Sequence, residues 1–448
     1  MAIPPSGRRE ESEAPQRDPY LSLWQSAAKE VGLQATPSSP GVDASASTVE
    51  LMSPVLIVSQ LASARSSQDA LGISIGELAD DCARTVGRFL WAEIHRDHAA
   101  AAGFADELKK SECDPRWAEC LKKYLLYKAT GGHFPYRDHE DRVIELKDPV
   151  RLAIVGDWGT GDPIAVRLLE SIRSLQPDLL VHLGDIYYSG TDEEAKRNFL
   201  DPIERVMGQR FPLFTLCGNH DMYSGGDGYY RVLDATGQGA SYFCLRNKDW
   251  QLLAMDTGHN DCNPLTVATN MTSLNGTEIP WHLNRILEPE GRRTILLSHH
   301  QLFSAFGAVG KIDGTDFAYN PNLYSAFGEV LDKVEWWFWG HEHTLAVYEP
   351  YMGLQRGRCV GCSAVPVFKN QQSYQTNRNL KTLNPGEFAE WKPQAELGTI
   401  GDDYAHASAL LTLTGKKAVV EYYQSSAEGG AALLWRESHE FTTDPGNR

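Results

Sequence analysis

Six short apolar runs, each cut off by polar residues, constrain this chain more than any other feature. They are Arg151 to Val155, Leu179 to Leu183, Pro212 to Leu216, Trp250 to Met255, Thr294 to Leu297 and Trp336 to Trp339. Continuous runs of this length, without polar alternation, read as strands covered on both faces. Between the first two, Ile164 to Leu175 has helical periodicity, so strand, helix and strand form a βαβ unit with parallel strands. In such α/β sheets, ligands sit just beyond the carboxyl ends of the strands. Further on, Ala407 to Leu413 and Ala418 to Tyr423 read as an antiparallel hairpin across Gly415-Lys416, packed on the sheet.

The rest of the chain differs in texture. Residues 1–18 are polar and Pro-bearing and read as a disordered tail. Residues 36–47, TPSSPGVDASAS, read as a linker. Over 50–128 the apolar spacing turns helical, as in Leu78, Cys82, Val86 and Phe89 or Trp117, Leu121, Tyr124 and Leu125. Residues 19–135 are therefore expected to be a mostly helical N-terminal region of unknown role. Residues 146–448 form the expected catalytic domain. His95 and His98 read as an exposed helical face, for no third ligand lies nearby.

Composition excludes several classes of protein. The 448 residues are 42% hydrophobic and 23% charged, enough for a sizeable core and unlike a disordered or fibrous chain. The net charge of -17 disfavours non-specific attraction to nucleic acid or anionic membrane, although bound cations can reverse the field locally. The eight cysteines are scattered and read as reduced thiols, including Cys359 and Cys362. No apolar stretch is long enough to span a bilayer, and no signal-like apolar core follows the charged N-terminus. The expectation is therefore a cytoplasmic location, with secretion by another route left open.

Five strand ends carry the chemistry. They read Gly156-Asp157-Trp158-Gly159, Gly184-Asp185-Ile186-Tyr187-Tyr188, Gly218-Asn219-His220-Asp221, Ser298-His299-His300 and Gly340-His341-Glu342-His343. A single Gly-Asp is usually a turn and a single His a satisfied core residue; the ordered coincidence of all five carries the signal. Carboxylate, amide, imidazole and phenol oxygens and nitrogens suit iron, zinc or manganese. A carboxylate between two cations can bridge them, as in two-metal phosphoryl transfer.

In this order and spacing the five blocks resemble the calcineurin-like metallophosphoesterase superfamily, and within it most closely the purple acid phosphatases. The resemblance covers about residues 150–345. It implies a four-layered α/β sandwich holding a dinuclear metal centre, here preceded by the helical N-terminal region. Most of the superfamily has Asp-x-His in the first block, whereas this chain has Asp157-Trp158-Gly159. Purple acid phosphatases lack the same His and supply a Tyr three residues after the second-block Asp, matching Tyr188 here, with Tyr187 then in the core. The resemblance implies Asp157, Asp185, Tyr188 and His343 at the first metal, Asp185 bridging, and Asn219, His299 and His341 at the second. His299 is preferred to His300, although Gln301 stands where the family usually has Pro.

His220 matches the histidine that contacts phosphate or protonates the leaving group. Asp221 would orient it, unless it serves only as a carboxylate at a helix N-terminus. His182 reads as a core histidine, and Glu342 as a residue turned away from the metals. The cofactors implied are Fe(III) at the Tyr188 site and Fe(II), Zn or Mn at the second. The activity implied is hydrolysis of phosphate monoesters by a metal-bound hydroxide, as in an acid phosphatase. The alternatives are a phosphodiesterase acting on nucleotides or phospholipids and, more remotely, an idle scaffold using its N-terminal helices. Those helices also offer a surface for a partner or for self-association. Met222 to Tyr230 and Phe303 to Tyr324 are expected either to face the substrate or merely to cover the core.

Overall fold

The computed structural model describes residues 143–441, apart from 265–269, 368, 370–372, 384–393, 402 and 427–429. It also describes residues 97, 99, 100, 103, 120, 123, 124, 126, 127 and 137. The expected tail over 1–18 lies outside the described residues, as do His95, His98 and nearly all of 19–135.

In chain order the strands begin with β1 (Val143–Glu145), β2 (Val150–Val155), β3 (Leu179–His182) and β4 (Leu213–Thr215). Next come β5 (Phe243–Arg246), β6 (Trp250–Ala254), β7 (Arg293–Leu297) and a small hairpin, β8 (Gly310–Ile312) with β9 (Thr315–Phe317). Then follow β10 (Val334–Trp339), β11 (Leu345–Val347), β12 (Gly357–Val360) and the short pair β13 (Thr399–Ile400) and β14 (Asp403–Tyr404). The series ends with β15 (Ala407–Thr414), β16 (Lys417–Ser425) and β17 (Ala431–Glu440).

Two sheets result: a seven-stranded one ordered β1-β5-β6-β7-β10-β12-β11 and a six-stranded one ordered β17-β16-β15-β2-β3-β4. The strands that carry the chemistry are parallel within each sheet, β2 with β3 and β4, and β7 with β10. Their carboxyl ends therefore emerge together. The C-terminal hairpin joins the second sheet through β15, antiparallel to β2, so it completes that sheet instead of forming a domain of its own.

Burial explains the layers. Leu152, Ile154 and Val181 from one sheet meet Leu252, Ile295, Trp336 and Phe338 from the other in one core between them. On the outer face of the six-stranded sheet, Ala153, Val155 and Leu180 pack against Ala165, Leu169 and Ile172. The helix carrying those three, Pro163–Ser174, starts with Pro at its first turn, where the missing N–H costs nothing. Leu253, Leu296, Trp337 and Trp339 cover the far face of the other sheet, packed with Ile286, Leu323 and Phe327. The last three lie on helices Glu278–Leu287 and Pro321–Phe327. Helix, sheet, sheet, helix is the expected four-layered α/β sandwich. Because both faces of each sheet are covered, the strands needed no polar alternation.

Met222, Tyr229 and Tyr230 belong to a small buried cluster with Cys217 and Leu233, and Phe303 is wholly buried too. These parts of the two segments fill the core instead of facing a substrate. The six cysteines described are free thiols, Cys359 and Cys362 among them. No described helix is long and apolar enough to cross a membrane.

Candidate metal centre

Asp157 follows β2, Asp185 follows β3, Asn219 and His220 follow β4, His299 follows β7, and His341 and His343 follow β10. The backbone is bent sharply at three of them, with φ of 56° at Asp157, 76° at Asp185 and 64° at His341. Side chains other than glycine rarely adopt this left-handed region, and such strain concentrates at functional sites. Glycine makes the close approach feasible. A Cβ at Gly184, where φ is 112°, would stand 2.7 Å from His299 Nδ1, and one at Gly218 would collide with the Asp185 carboxylate.

One set of donors converges tightly. Asn219 Oδ1 is 3.0 Å from His299 Nε2 and 2.9 Å from His341 Nδ1, and the two imidazole nitrogens are 3.2 Å apart. His299 Nδ1 lies 3.0 Å from the Leu183 carbonyl, which can only accept, so Nδ1 carries the proton and Nε2 offers its lone pair. The Asn219 amide is oriented by donating to Tyr223 Oη at 2.5 Å. His300 stands next to this set, its ring centroid 4.4 Å from that of His341. Both His300 nitrogens are engaged, Nδ1 with Thr257 Oγ1 at 3.0 Å and Nε2 with Asp261 Oδ2 at 3.1 Å. His300 thus walls the site while His299 points into it.

The second set adjoins the first. Asp157 Oδ1 is 3.4 Å from His343 Nε2 and accepts from Tyr187 Oη at 2.9 Å, and the phenol is 3.1 Å from His343 Nε2. Asp185 Oδ2 is 3.4 Å from His299 Nε2, and ligand atoms of Asp157, Asp185 and His299 lie within 4.8 Å of one another. Asp185 therefore stands between the two sets.

Two expectations need correction. The phenol brought to Asp157 and His343 belongs to Tyr187, which the sequence placed in the core. Tyr188 meets the site through its backbone: its carbonyl is 2.8 Å from His220 Nδ1, and its N–H donates to Glu194. The two tyrosines are adjacent, two and three residues after Asp185, and an irregular loop imposes no strand alternation to choose between them. Asp221, expected to orient His220, accepts instead from the backbone N–H of Gly218 at 2.8 Å and of Asp185 and Ile186 at 3.0 Å each. It sits in the first turn of helix Asn219–Met222, where unpaired N–H groups are available, and it ties two site loops together. His182 Nδ1 bonds Thr215 in the core, and Glu342 accepts from Ser304 at 2.7 Å.

The electrostatics suit the binding of cations. Burial, then the neighbouring carboxylates Asp157 and Asp221, push the Asp185 carboxyl well above its usual range. Burial, then adjacent imidazoles, hold His299 and His341 well below theirs. A bound cation reverses both effects, because it favours the carboxylate and takes the lone pair of a neutral imidazole. Oxygen and nitrogen donors without thiolate suit iron, zinc or manganese. His220 is pushed down to about 3 by burial, so its imidazole is neutral with the proton on Nδ1. Nε2 lies 3.9 Å from Asp185 Oδ2.

With this geometry in view, residues 150–345 match the calcineurin-like phosphoesterase family, which supports a metallophosphoesterase assignment for that span. No curated protein matches it. Solved structures similar to it include a purple acid phosphatase from yellow lupin (Lupinus luteus), at 16% identity and a TM-score of 0.42. That match covers 66% of this chain and 54% of the lupin protein, so the chain aligns with about half of it. The Plasmodium inner membrane complex anchor GAP50 is 13% identical over 67% of this chain and 91% of its own, with a TM-score of 0.38. Vps29 of Entamoeba histolytica, as a single mutant, is 10% identical over 65% of this chain and 99% of its own, with a TM-score of 0.28.

Proposed function

We propose that this chain hydrolyses phosphate monoesters with two bound cations, in the manner of an acid phosphatase. The observation that carries the reading is the convergence of Asn219 Oδ1, His299 Nε2 and His341 Nδ1 beside Asp185, with Asp157, Tyr187 and His343 on its other side. The first cation would be held by Asp157, Asp185, His343 and a tyrosine, and the second by Asn219, His299, His341 and the bridging Asp185. When bound, the cations supply charge that offsets the phosphate oxygens and lowers the pKa of water.

The chain's own residues do the rest. Asp221 fixes the two loops, and the Tyr188 carbonyl turns His220 so that Nε2 faces the substrate. At mildly acidic pH a monoester retains one phosphate proton, since its second pKa is about 6. His220 Nε2 takes that proton and delivers it to the departing ester oxygen as water adds to phosphorus. A diester has no such proton, which favours the monoester reading.

A phenol donor favours Fe(III) at the first position, with Fe(II), Zn or Mn at the second. The sequence resemblance assigns this role to Tyr188, but the geometry favours Tyr187. The test is a visible spectrum with metal analysis and assays on a monoester and a diester. The expected result is a purple or pink protein whose band is lost in Tyr187→Phe and kept in Tyr188→Phe. Loss only in Tyr188→Phe restores the family spacing. A colourless manganese or zinc protein that prefers diesters overturns the phosphatase reading. The location, cytoplasmic or secreted, is open to fractionation of the source cells.

A further inference from the structure

Among the described residues of the N-terminal segment, Cys120 and Tyr127 lie against loops of the candidate centre. Cys120 and Tyr124 are buried, and Cys120, Lys123, Tyr124, Leu126 and Tyr127 are helical. Cys120 Sγ lies 3.5 Å from the Tyr188 carbonyl, the oxygen that His220 Nδ1 also approaches at 2.8 Å. Seven residues further along, the Tyr127 ring lies against Gly225, where an added Cβ would stand 2.6 Å from it. Arg137 then pairs with Asp234 at 2.5 Å, with its guanidinium 5.0 Å from the centre of the Tyr230 ring. These contacts run along the loops after β3 and β4, the two that carry Asp185 and His220.

We propose that the segment bearing Cys120 and Tyr127 is a positioning part of the catalytic centre, holding the Tyr188 carbonyl where it orients His220. The inference rests on the phosphomonoesterase reading and adds to it a working role for chain outside the matched span of 150–345. A carbonyl with two lone pairs can accept from both the thiol and the imidazole N–H. Buried and paired, it has little freedom to swing. Without the thiol the carbonyl can rotate, and His220 Nε2 turns away from the ester oxygen it serves. The cation donors are untouched by that loss, so substrate capture should be spared.

Leaving-group dependence separates positioning from general damage. An alkyl phosphate needs its departing oxygen protonated, whereas p-nitrophenyl phosphate leaves as a stable phenolate. In the full chain, kcat and KM are measured on both esters for the parent, His220→Ala, Cys120→Ala and Cys120→Ser. His220→Ala should lose about 100-fold in kcat on the alkyl ester and far less on the aryl ester. Cys120→Ala should show the same pattern at about fivefold, the size of one modest hydrogen bond, with KM unchanged. Cys120→Ser, which keeps a donor, should recover most of the loss. Where Cys120→Ala does not fold, Cys120→Val fills the volume without a donor and is read the same way.

An equal fall on both esters, a change confined to KM, or no change in Cys120→Ala while His220→Ala shows the pattern overturns the positioning role alone. A parent protein that cleaves neither ester overturns the phosphomonoesterase reading, and this inference falls with it.

Discussion

Gly184 shows how little room the centre leaves at the scale of one residue. Its φ of 112° is strained for any other side chain, and a Cβ there would press on His299 Nδ1 at 2.7 Å. Gly184→Ala should therefore destabilise the fold by about 1–3 kcal/mol and displace His299. Urea unfolding and metal content of the purified variant measure the two effects separately. Retained metal with parental stability would show that the loop yields easily. Asp221 works in the opposite sense, drawing in three backbone N–H groups instead of excluding a side chain. Burial pushes its carboxyl up to about 7 even so, and those three donors oppose the shift. Asp221→Ala leaves buried donors without an acceptor, at a cost of about 1–3 kcal/mol each before relaxation. Circular dichroism melts of Asp221→Ala and Asp221→Asn should both fall, the alanine variant further.

At the scale of elements, the two sheets are tied by an ion pair as well as by apolar packing. Arg358 on β12 donates to both oxygens of Glu437 on β17, at 2.7 and 2.6 Å. The same guanidinium donates to the Tyr348 and Gly357 carbonyls, and the Tyr422 hydroxyl donates to Glu437. The two side chains are only 4% and 10% exposed. Removing one partner from such a buried pair strands a charge and costs about 3–5 kcal/mol. Arg358→Ala should therefore lower the urea midpoint sharply. Replacing both residues with apolar ones of similar volume should cost less, and an equal cost for the two would argue that packing alone matters here. β17 also shows why the sequence missed it. Its residues are exposed or half-buried along the strand, although Ala431 to Trp435 is an apolar run, and pairing with β16 defines it.

For the whole molecule, buried neutral histidines set the response to acid. Burial pushes His182 and His282 down to about 3 and His406 down to about 4, all from an ordinary value of 6.5. Above about 6.5 neither state binds these protons, so the stabilisation is complete. As pH falls below that, the unfolded chain takes up protons that the folded one refuses, and stability is lost until the folded values are reached. Each histidine contributes a slope of about 1.4 kcal/mol per pH unit in that window. Raised carboxyls such as Asp221 work in the opposite sense, so the test is differential: between pH 7 and pH 5 the urea midpoint of His282→Gln, which cannot titrate, should fall less or rise more than the parent's. A difference between the two that does not change with pH would overturn the assignment.

The sequence by itself determined the sandwich and the inventory of its centre. Buried parallel strands demand uninterrupted apolar runs, and the residues at their carboxyl ends must lie together once those strands pair. Asp157, Asp185, Asn219, His299, His341 and His343 could therefore be named through the family resemblance that their order and spacing carry. Only the tertiary structure decided which tyrosine turns inward, which oxygen orients His220 and what Asp221 holds. Those choices belong to irregular loops, where neither the period of two nor that of 3.6 assigns a face. Asp261 behind His300 and Cys120 behind Tyr188 were equally hidden, because each is brought to its partner by folding over a distance that no local pattern records.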